Sequence, residues 1–258
     1  MISHHRGASH DLGDVSAVYD RAAATYDTMV NLSPGYHRHL QAAADALVER
    51  LPAGGGLTVV DLGCGSGVST DALVNSMGHR GEPYTAIGID ASTGMLAEAH
   101  SKPWPTWVSF VYGRAESVGT FGALGAAVSD VRLGASVAGV LAAHLFSCLS
   151  DRDAALRSVW DLLDPGGVLV VQDYTAACSA PARARWNAMS WSMVIPLSKL
   201  VSRNATLPRR QWRSALDNDA VDTFAGRMLD AGFVDVEHRT AGGWHRGMLH
   251  TFRARKPA

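Results

Sequence analysis

Val59-Val60-Asp61-Leu62-Gly63-Cys64-Gly65-Ser66-Gly67 is the stretch whose reading decides the fold. A short apolar run ends in alternating glycines, and a helix-like segment, Ser69–Met77, follows at once. That order reads as a buried strand passing through a tight turn into a helix. Glycine is required where the backbone must come close to a ligand, and the next helix offers its positive N-terminal end at the same place. A glycine triplet also serves as a plain tight turn, so taken alone it leaves that reading open.

Working outward, apolar runs bounded by turn residues recur at Tyr84–Ile89, Trp107–Val111, Ala135–Leu141 and Gly167–Gln172. Helix-like segments lie between them at Thr93–His100 and Asp151–Leu163. Strands alternating with helices predict an α/β fold whose parallel sheet is covered on both faces. Continuous apolar runs such as TVVDL and LVVQ suit strands buried on both sides. Upstream, Val15–Tyr26 and Tyr36–Leu51 are amphipathic, the second carrying Leu40, Ala43, Ala44, Leu47 and Leu51 on one face. After Tyr174 the rhythm stops, and residues 176–218 read as a largely helical insertion. It resumes with a helix at Val221–Asp230 and two runs, Phe233–Thr240 and Met248–Arg255, expected as a hairpin or as two closing edge strands.

At 258 residues the chain is read as one domain. A 47% hydrophobic share with 18% charged residues supplies a core and excludes intrinsic disorder. The net charge of −1 gives no global basic field for nucleic acid or an anionic membrane. Cys64, Cys148 and Cys178 form no metal or disulfide pattern, and His4, His5 and His10 cluster without ligand partners, so no metal site is expected. No stretch reaches the length of an apolar membrane span, and a cytoplasmic setting is expected.

Two positions sharpen the glycine turn. Aligning Gly63-Cys64-Gly65-Ser66-Gly67-Val68 with the dinucleotide pattern GxGxxG puts Val68 at the third glycine, which disfavours a nicotinamide cofactor. The second strand then ends in Asp90, and a carboxylate there can accept two hydrogen bonds from a ribose diol. Asp90 or Ser92 could instead cap the helix that follows.

The pattern Asp61-x-Gly63-x-Gly65-x-Gly67 resembles motif I of class I S-adenosylmethionine-dependent methyltransferases. The resemblance extends through Asp90, Gly113-Arg114-Ala115-Glu116, the run Ala138–Leu141 continuing to Phe146, and the turn Leu163-Asp164-Pro165-Gly166-Gly167. The opening Tyr19-Asp20-Arg21 and Ala24-Thr25-Tyr26-Asp27, with Ala231-Gly232-Phe233 near the end, is similar to the ubiquinone/menaquinone-biosynthesis subgroup and its actinobacterial relatives. The resemblance implies a Rossmann-like class I methyltransferase fold, with a seven-stranded mostly parallel sheet, helices on both faces and a helical cap. On it the chain divides into an N-terminal helical segment (1–51), a cofactor-binding core (57–174), the cap (176–218) and a closing helix and hairpin (220–258).

It further implies S-adenosyl-L-methionine as cofactor, held by Asp61, Gly63, Cys64, Gly65, Gly67, Asp90, Ala91, Met95, Arg114, Ala115 and Glu116, with Tyr26 near the methionine moiety. Arg114 stands where the family carries an Asp that accepts from adenine; it could stack on the base, leave adenine to the backbone near Ala115, or pair with Glu116. Motif IV lacks its usual acid, with Ala138 in its place, and Ser147-Cys148 stand where the quinone enzymes carry Arg-Asn.

The implied reaction is methyl transfer to a small-molecule acceptor. His144, just past the fourth strand, is the first candidate for proton acceptor, against a packed structural histidine. Asp173 and Tyr174 end the fifth strand and could also reach the acceptor. In the cap, Trp186, Met189 and Met193 share a helical stripe and are expected to face an apolar, ring-containing or lipid-like acceptor, with Trp191 turned away. The rival reading is a non-catalytic S-adenosylmethionine-binding or interaction protein on the same fold. Neither nucleic acid nor a membrane span enters as partner, and a homo-oligomer is left open.

Overall fold

A computed structural model describes residues 15–81, 84–120, 137–176, 179–202 and 205–258. His4, His5, His10 and Cys178 lie outside the described residues. Seven strands form one sheet: β1 (Leu57–Leu62), β2 (Tyr84–Asp90), β3 (Val108–Tyr112), β4 (Val137–Ala143), β5 (Leu163–Tyr174), β6 (Val234–Thr240) and β7 (Leu249–Arg255). Their order is β3-β2-β1-β4-β5-β7-β6, the Rossmann-like arrangement of the class I methyltransferases. Every pairing up to β5 is parallel, while β7 runs antiparallel to both β5 and β6. The two last strands are therefore not both at an edge. β7 inserts between β5 and β6, because Phe252 and Ala254 are apolar enough to be buried there, whereas β6 (VDVEHRT) is mostly exposed.

Side-chain alternation splits the core into two layers. Val60, Leu62, Ile87, Ile89, Leu169 and Val171 point toward α5 (Arg152–Leu162) and α9 (Val221–Asp230). Val59, Ala86, Leu141, Val168 and Val170 point toward α2 (Tyr36–Val48) and α3 (Val68–Gly78). The helical stripe expected on α2 is the face that packs: Leu40, Ala43, Ala44 and Leu47 are buried. Burying each such leucine contributes about 1.5–3 kcal/mol.

Three helical pieces position the site beyond the strand ends. α1 (Val15–Asn31) lies against α4 (Thr93–His100). The insertion folds as α6 (Ala180–Met189), a single π-helical turn (Ser190–Val194), α7 (Ile195–Ser202) and α8 (Thr206–Asp217). α7 and α8 both pack on α1, so the first and the inserted helices roof the sheet together.

Candidate active site

The loop after β1 is held from below. Asp61 is fully buried, and its Oδ2 accepts from the hydroxyls of Ser69 (2.7 Å) and Thr70 (2.6 Å) in the first turn of α3. Burial raises its carboxyl to about 6 against those two bonds, and its Oδ1 has no hydrogen-bond partner among the described residues. Gly63 N and Cys64 N both donate to the Ile89 carbonyl, which ties the loop to the end of β2.

The three loop glycines serve two purposes. Gly65 (φ +54°) has open space where a Cβ would stand, on the side facing the cleft. Gly67 (φ +88°) faces inward, where a Cβ would lie 2.7 Å from the Trp104 ring. A Cβ on Gly63 would lie 2.9 Å from Leu145, so one glycine of the three leaves room for a ligand and two make room for packing.

Beside the loop, Asp90 accepts from Gly65 N through Oδ2 (2.8 Å) and from Ser92 N through Oδ1 (2.8 Å). Burial raises its pKa, opposed by backbone bonds from Ser92, Gly65 and Ala91. The cap of α4 is Ser92, whose side chain accepts from Met95 N. With three backbone bonds on about four acceptor sites, the Asp90 carboxylate retains a lone pair, and the residue lines the cleft.

α1 fastens over this arrangement by two acids seven residues apart, hence on one helical face. Asp20 accepts from the Ser92 hydroxyl (2.5 Å) and Gly94 N (2.8 Å). Asp27 accepts from the Ser66 hydroxyl (2.5 Å) and pairs with Lys102 (2.6 Å). The residue before each acid is a tyrosine, and Tyr19 and Tyr26 turn toward the ligand spaces. The sequence places this Tyr-Asp repeat in plain view; what it fastens to is visible only in three dimensions.

A cleft of about 510 Å³ results, within the range of small-molecule sites. Of the residues expected to hold the cofactor, Gly63, Gly65, Asp90, Ala91, Met95, Arg114, Ala115, Glu116 and Tyr26 line it together. Asp61, Cys64 and Gly67 do not: Asp61 anchors α3, and the Cys64 thiol packs with Leu96, Ala99 and Phe110. Arg114 is exposed at the rim, with its Nε 3.8 Å from Glu116. Not foreseen on the walls were Val15 and Ser16 from α1, and Arg210, Arg213, Ser214 and Asp217 from α8. These four fall at helical spacing on one face of α8, a signal the sequence carried and the reading missed.

A second, apolar chamber of about 140 Å³ adjoins the cleft. Tyr19, Tyr26, His144, Ser147 and Cys148 belong to the walls of both. His144 is central. Its backbone is held at φ +58°, a conformation non-glycine residues rarely adopt. Its ring is stacked between Tyr36 (5.3 Å between centroids, 23°) and Tyr174 (5.2 Å, 15°). Burial, with His39 and His245 nearby, pushes it down to about 4. Its Nε2 is buried with no partner among the described residues. His39 and His245 bond to each other at 3.0 Å, and both are held below the ordinary histidine value by burial.

Tyr174 continues the ring column to Trp186 (4.9 Å). Trp186, Met189 and Met193 line the chamber, Trp186 donating to the Trp212 carbonyl (2.9 Å). Trp191 is exposed, edge-on to Trp212. The phenols resist ionisation: burial pushes Tyr26 up to about 12 and raises Tyr19, Tyr36 and Tyr174. Asp173, raised to about 6 by burial, is spent on Ser147, accepting from its N–H and its hydroxyl at 2.8 Å each. Cys148 lies 3.6 Å from the Tyr19 hydroxyl. Among the described residues no group of three or more His, Cys, Asp or Glu side chains could hold a metal ion.

Comparison with known proteins identifies this architecture. A family model described as the ubiE/COQ5 methyltransferase family matches residues 7–251. The chain belongs to that family. Ubiquinone/menaquinone biosynthesis C-methyltransferase UbiE of Klebsiella pneumoniae (strain 342) is 28% identical over 247 residues, covering 90% of this chain and 89% of the relative. UbiE of Yersinia pestis bv. Antiqua is 28% identical over 253 residues, covering 91% and 90%. Among solved structures, Haemonchus contortus phosphoethanolamine N-methyltransferase 2 in complex with S-adenosyl-L-methionine has a TM-score of 0.59 at 15% identity, covering 93% of this chain and 57% of that one. An S-adenosylmethionine-dependent methyltransferase from Thermotoga maritima has a TM-score of 0.55 at 17% identity, covering 93% and 98%.

The chain is an S-adenosylmethionine-dependent methyltransferase of the ubiE/COQ5 family. Its cleft fits that cofactor on its own chemistry. The open space over Gly65 admits a ligand against the backbone, Asp90 has a lone pair to spare for a hydroxyl, and Ala91, Met95 and Ala115 line the cleft with apolar groups.

Proposed function

We propose that this methyltransferase acts on a largely apolar, ring-containing or lipid-like small molecule seated in the aromatic chamber. One observation carries the reading: the cofactor cleft and the chamber share the wall formed by Tyr19, Tyr26, His144, Ser147 and Cys148. An acceptor in the chamber therefore meets the cofactor at that wall. The cofactor supplies an electrophilic methyl group on a sulfonium.

In this reading Gly63, Gly65, Asp90, Ala91, Met95, Arg114, Ala115, Glu116 and Tyr26 hold the cofactor, with Asp61 fixing the helix beneath. The chamber's contribution is position and dryness. Tyr36, Tyr174 and Trp186 wall the chamber with aromatic rings already packed on one another, and Met189 and Met193 fill around them, confining the acceptor and excluding water. His144 is neutral at ordinary pH, so its buried, unpartnered Nε2 is available to a hydroxyl of the acceptor. The two tyrosine rings and the left-handed backbone fix its direction. Because burial makes the cation costly, His144 serves to aim the acceptor's hydroxyl through a hydrogen bond, not as a general base.

A charged acceptor finds no matching partner: Asp173 is engaged with Ser147, and the phenols stay protonated. The printed names of the UbiE relatives describe C-methylation in quinone biosynthesis, which agrees with a ring acceptor. Ser147 and Cys148 are turned to Asp173 and Tyr19, and the Arg-Asn pair of the quinone enzymes is not reproduced there. A cytoplasmic setting belongs to the same proposal; no helix among the described residues is long and apolar enough to cross a membrane.

The test is turnover against a panel of acceptors, with methyl incorporation read by mass spectrometry. Hydroxylated aromatic and prenylated ring compounds are expected to outrun polar or ionic ones. Preference for a highly charged acceptor would overturn the reading.

A further inference from the structure

The near-neutral whole chain hides a regional imbalance. Residues 176–218 hold seven Lys and Arg against a single acid, Asp217, leaving the remainder of the chain acidic. The same region carries the exposed apolar surface. Seven large apolar side chains are exposed among the described residues; three of them, Trp191, Met193 and Leu200, lie in this region, and Leu32 and Trp244 adjoin it through the chamber wall and Met189.

Their placement is specific. Leu32 at 48% exposure and Met193 at 38% also line the acceptor chamber, so they mark its open rim. Trp244 donates to the Met189 sulfur (3.2 Å) and stands beside that rim. The outer face of α7 continues it: Met193, Pro196 and Leu200 are exposed at helical spacing, with Leu200 at 81%. A surface helix normally turns polar residues outward, and this one turns Pro196 and Leu200 outward beside Lys199. The charges border the patch. Lys199 adjoins Leu200 and is exposed, and the Arg209 guanidinium lies over the exposed Trp191 ring at 5.9 Å. The stretch 31–35 (Asn-Leu-Ser-Pro-Gly) contributes no opposing acid.

We infer that this face docks on the surface of an anionic lipid bilayer, with Leu200, Met193 and Trp244 entering the headgroup boundary. Lys199 and Arg209 meet the lipid phosphates, and the chamber opens toward the membrane. Apolar side chains fringed by cations are the pattern of an interfacial helix, and charge complementarity favours anionic lipid over a second copy of a chain whose patch is itself basic. The docking geometry goes beyond the proposed acceptor class. Only its purpose, delivering a lipid-like acceptor without passage through water, rests on that reading.

The experiment is sedimentation of the full chain, without cofactor or acceptor, with vesicles of phosphatidylglycerol and phosphatidylcholine in equal parts, against phosphatidylcholine alone. Binding to the anionic vesicles is expected, and it should weaken as salt is raised. Leu200→Asp and Lys199→Glu should each lower it by about tenfold or more, with thermal unfolding and S-adenosylhomocysteine binding unchanged. Equal binding to neutral vesicles, wild-type binding by both variants, or no binding at low salt would overturn the proposal. So would a concentration-dependent dimer in sedimentation velocity that Leu200→Asp dissolves, which would make the face a contact between copies. Turnover separates this from the acceptor reading. Leu200→Asp should retain activity on a detergent-dispersed ring acceptor and lose it on the same acceptor embedded in vesicles. Absence of ring methylation in both formats, by wild type, would count against the acceptor and leave docking standing on the vesicle result.

Discussion

The cleft at the strand ends and the aromatic chamber beside it share a wall but are built by opposite rules. The cleft collects consecutive turns at the C-terminal ends of parallel strands: Gly63 and Gly65 after β1, Asp90 and Ala91 after β2, Arg114 to Glu116 after β3. Backbone N–H groups and one carboxylate dominate its bonds. The chamber instead assembles Tyr19, Tyr36, His144, Tyr174, Trp186 and His245, no two of them neighbours in sequence, through stacked rings. A site made of turns is intolerant of any added atom, whereas a site made of rings should tune what it accepts. Substitutions on the two sides ought therefore to differ in kind as well as in size.

The largest effect is expected at Gly65. A valine there would put its branched side chain into the open space of the cleft, and overlap alone costs about 1–3 kcal/mol. The left-handed backbone costs the variant a further about 1–2 kcal/mol of stability, which falls on folding and not on binding. Gly65→Val should abolish measurable S-adenosylhomocysteine binding in calorimetry while circular dichroism still reports a folded chain. Retained affinity in a folded variant would place the cofactor elsewhere and dissolve the contrast.

Next comes Asp90→Asn, which keeps the shape and removes the charge. Affinity should fall by about 1.5–3 kcal/mol, the scale of hydrogen bonds to a charged group. The carboxylate also holds Gly65 N and Ser92 N, so the apo protein should lose about 1 kcal/mol of stability. Thermal shift with and without ligand separates the two. A stability loss equal to the affinity loss would reduce Asp90 to a loop fastener.

The contrast also explains what could be read from the sequence. The strand-turn-helix at 59–67, the acid closing β2 and the helix over 93–100 are local patterns, and the sheet follows from their alternation. Ser92, not Asp90, caps α4, a distinction that depends on which side chain turns back and not on residue type. Asp61 and Gly67 look like ligand residues because the motif includes them, yet one anchors α3 and the other makes room for Trp104. The insertion of β7 between β5 and β6 is settled by burial of Phe252 and Ala254, long-range packing that no local spacing displays. Long-range proximity likewise hid the chamber: nothing in the spacing of Tyr36, His144 and Tyr174 announces a three-ring stack.

On the chamber side, the paired tryptophans sharpen the comparison. Trp186→Phe keeps an aromatic ring against Tyr174 but loses the bond to the Trp212 carbonyl. It should lower kcat/KM for the acceptor by about 1 kcal/mol, roughly fivefold, with cofactor affinity unchanged. Trp191→Ala, at an exposed position, should leave turnover of a dispersed acceptor near wild type. If Trp191 governs acceptor use and Trp186 does not, the chamber has been assigned to the wrong face of the cap.

The smallest shift is the most discriminating. His144→Asn preserves the φ +58° turn, since Asn tolerates the left-handed region, and removes the imidazole. If His144 only aims the acceptor, turnover should fall by less than the about hundredfold lower bound for general-base removal. Both proteins should show the same pH dependence of activity from pH 6 to 8, because the imidazole, pushed down to about 4, does not titrate there, and Asp173, raised to about 6, titrates in both. Stability should carry the trace instead. An unfolded histidine takes its proton near pH about 6.5, so the folded state binds fewer protons than the unfolded one between that value and 4. Stability from the neutral ring is complete above the unfolded value and is lost as pH falls toward 4. His39 and His245 act in the same direction. Asp61 and Asp173, raised to about 6, act oppositely: their share is present below the ordinary carboxylate range and lost as pH rises through 6. The acid-side decline between pH 6.5 and 4 should therefore be shallower in His144→Asn than in wild type, as read by thermal unfolding at a series of pH values. An activity inflection near pH 6.5 that vanishes in the variant would show a solvated, ordinary histidine. The chamber would then be wet at its centre, and its supposed difference from the cleft would be gone.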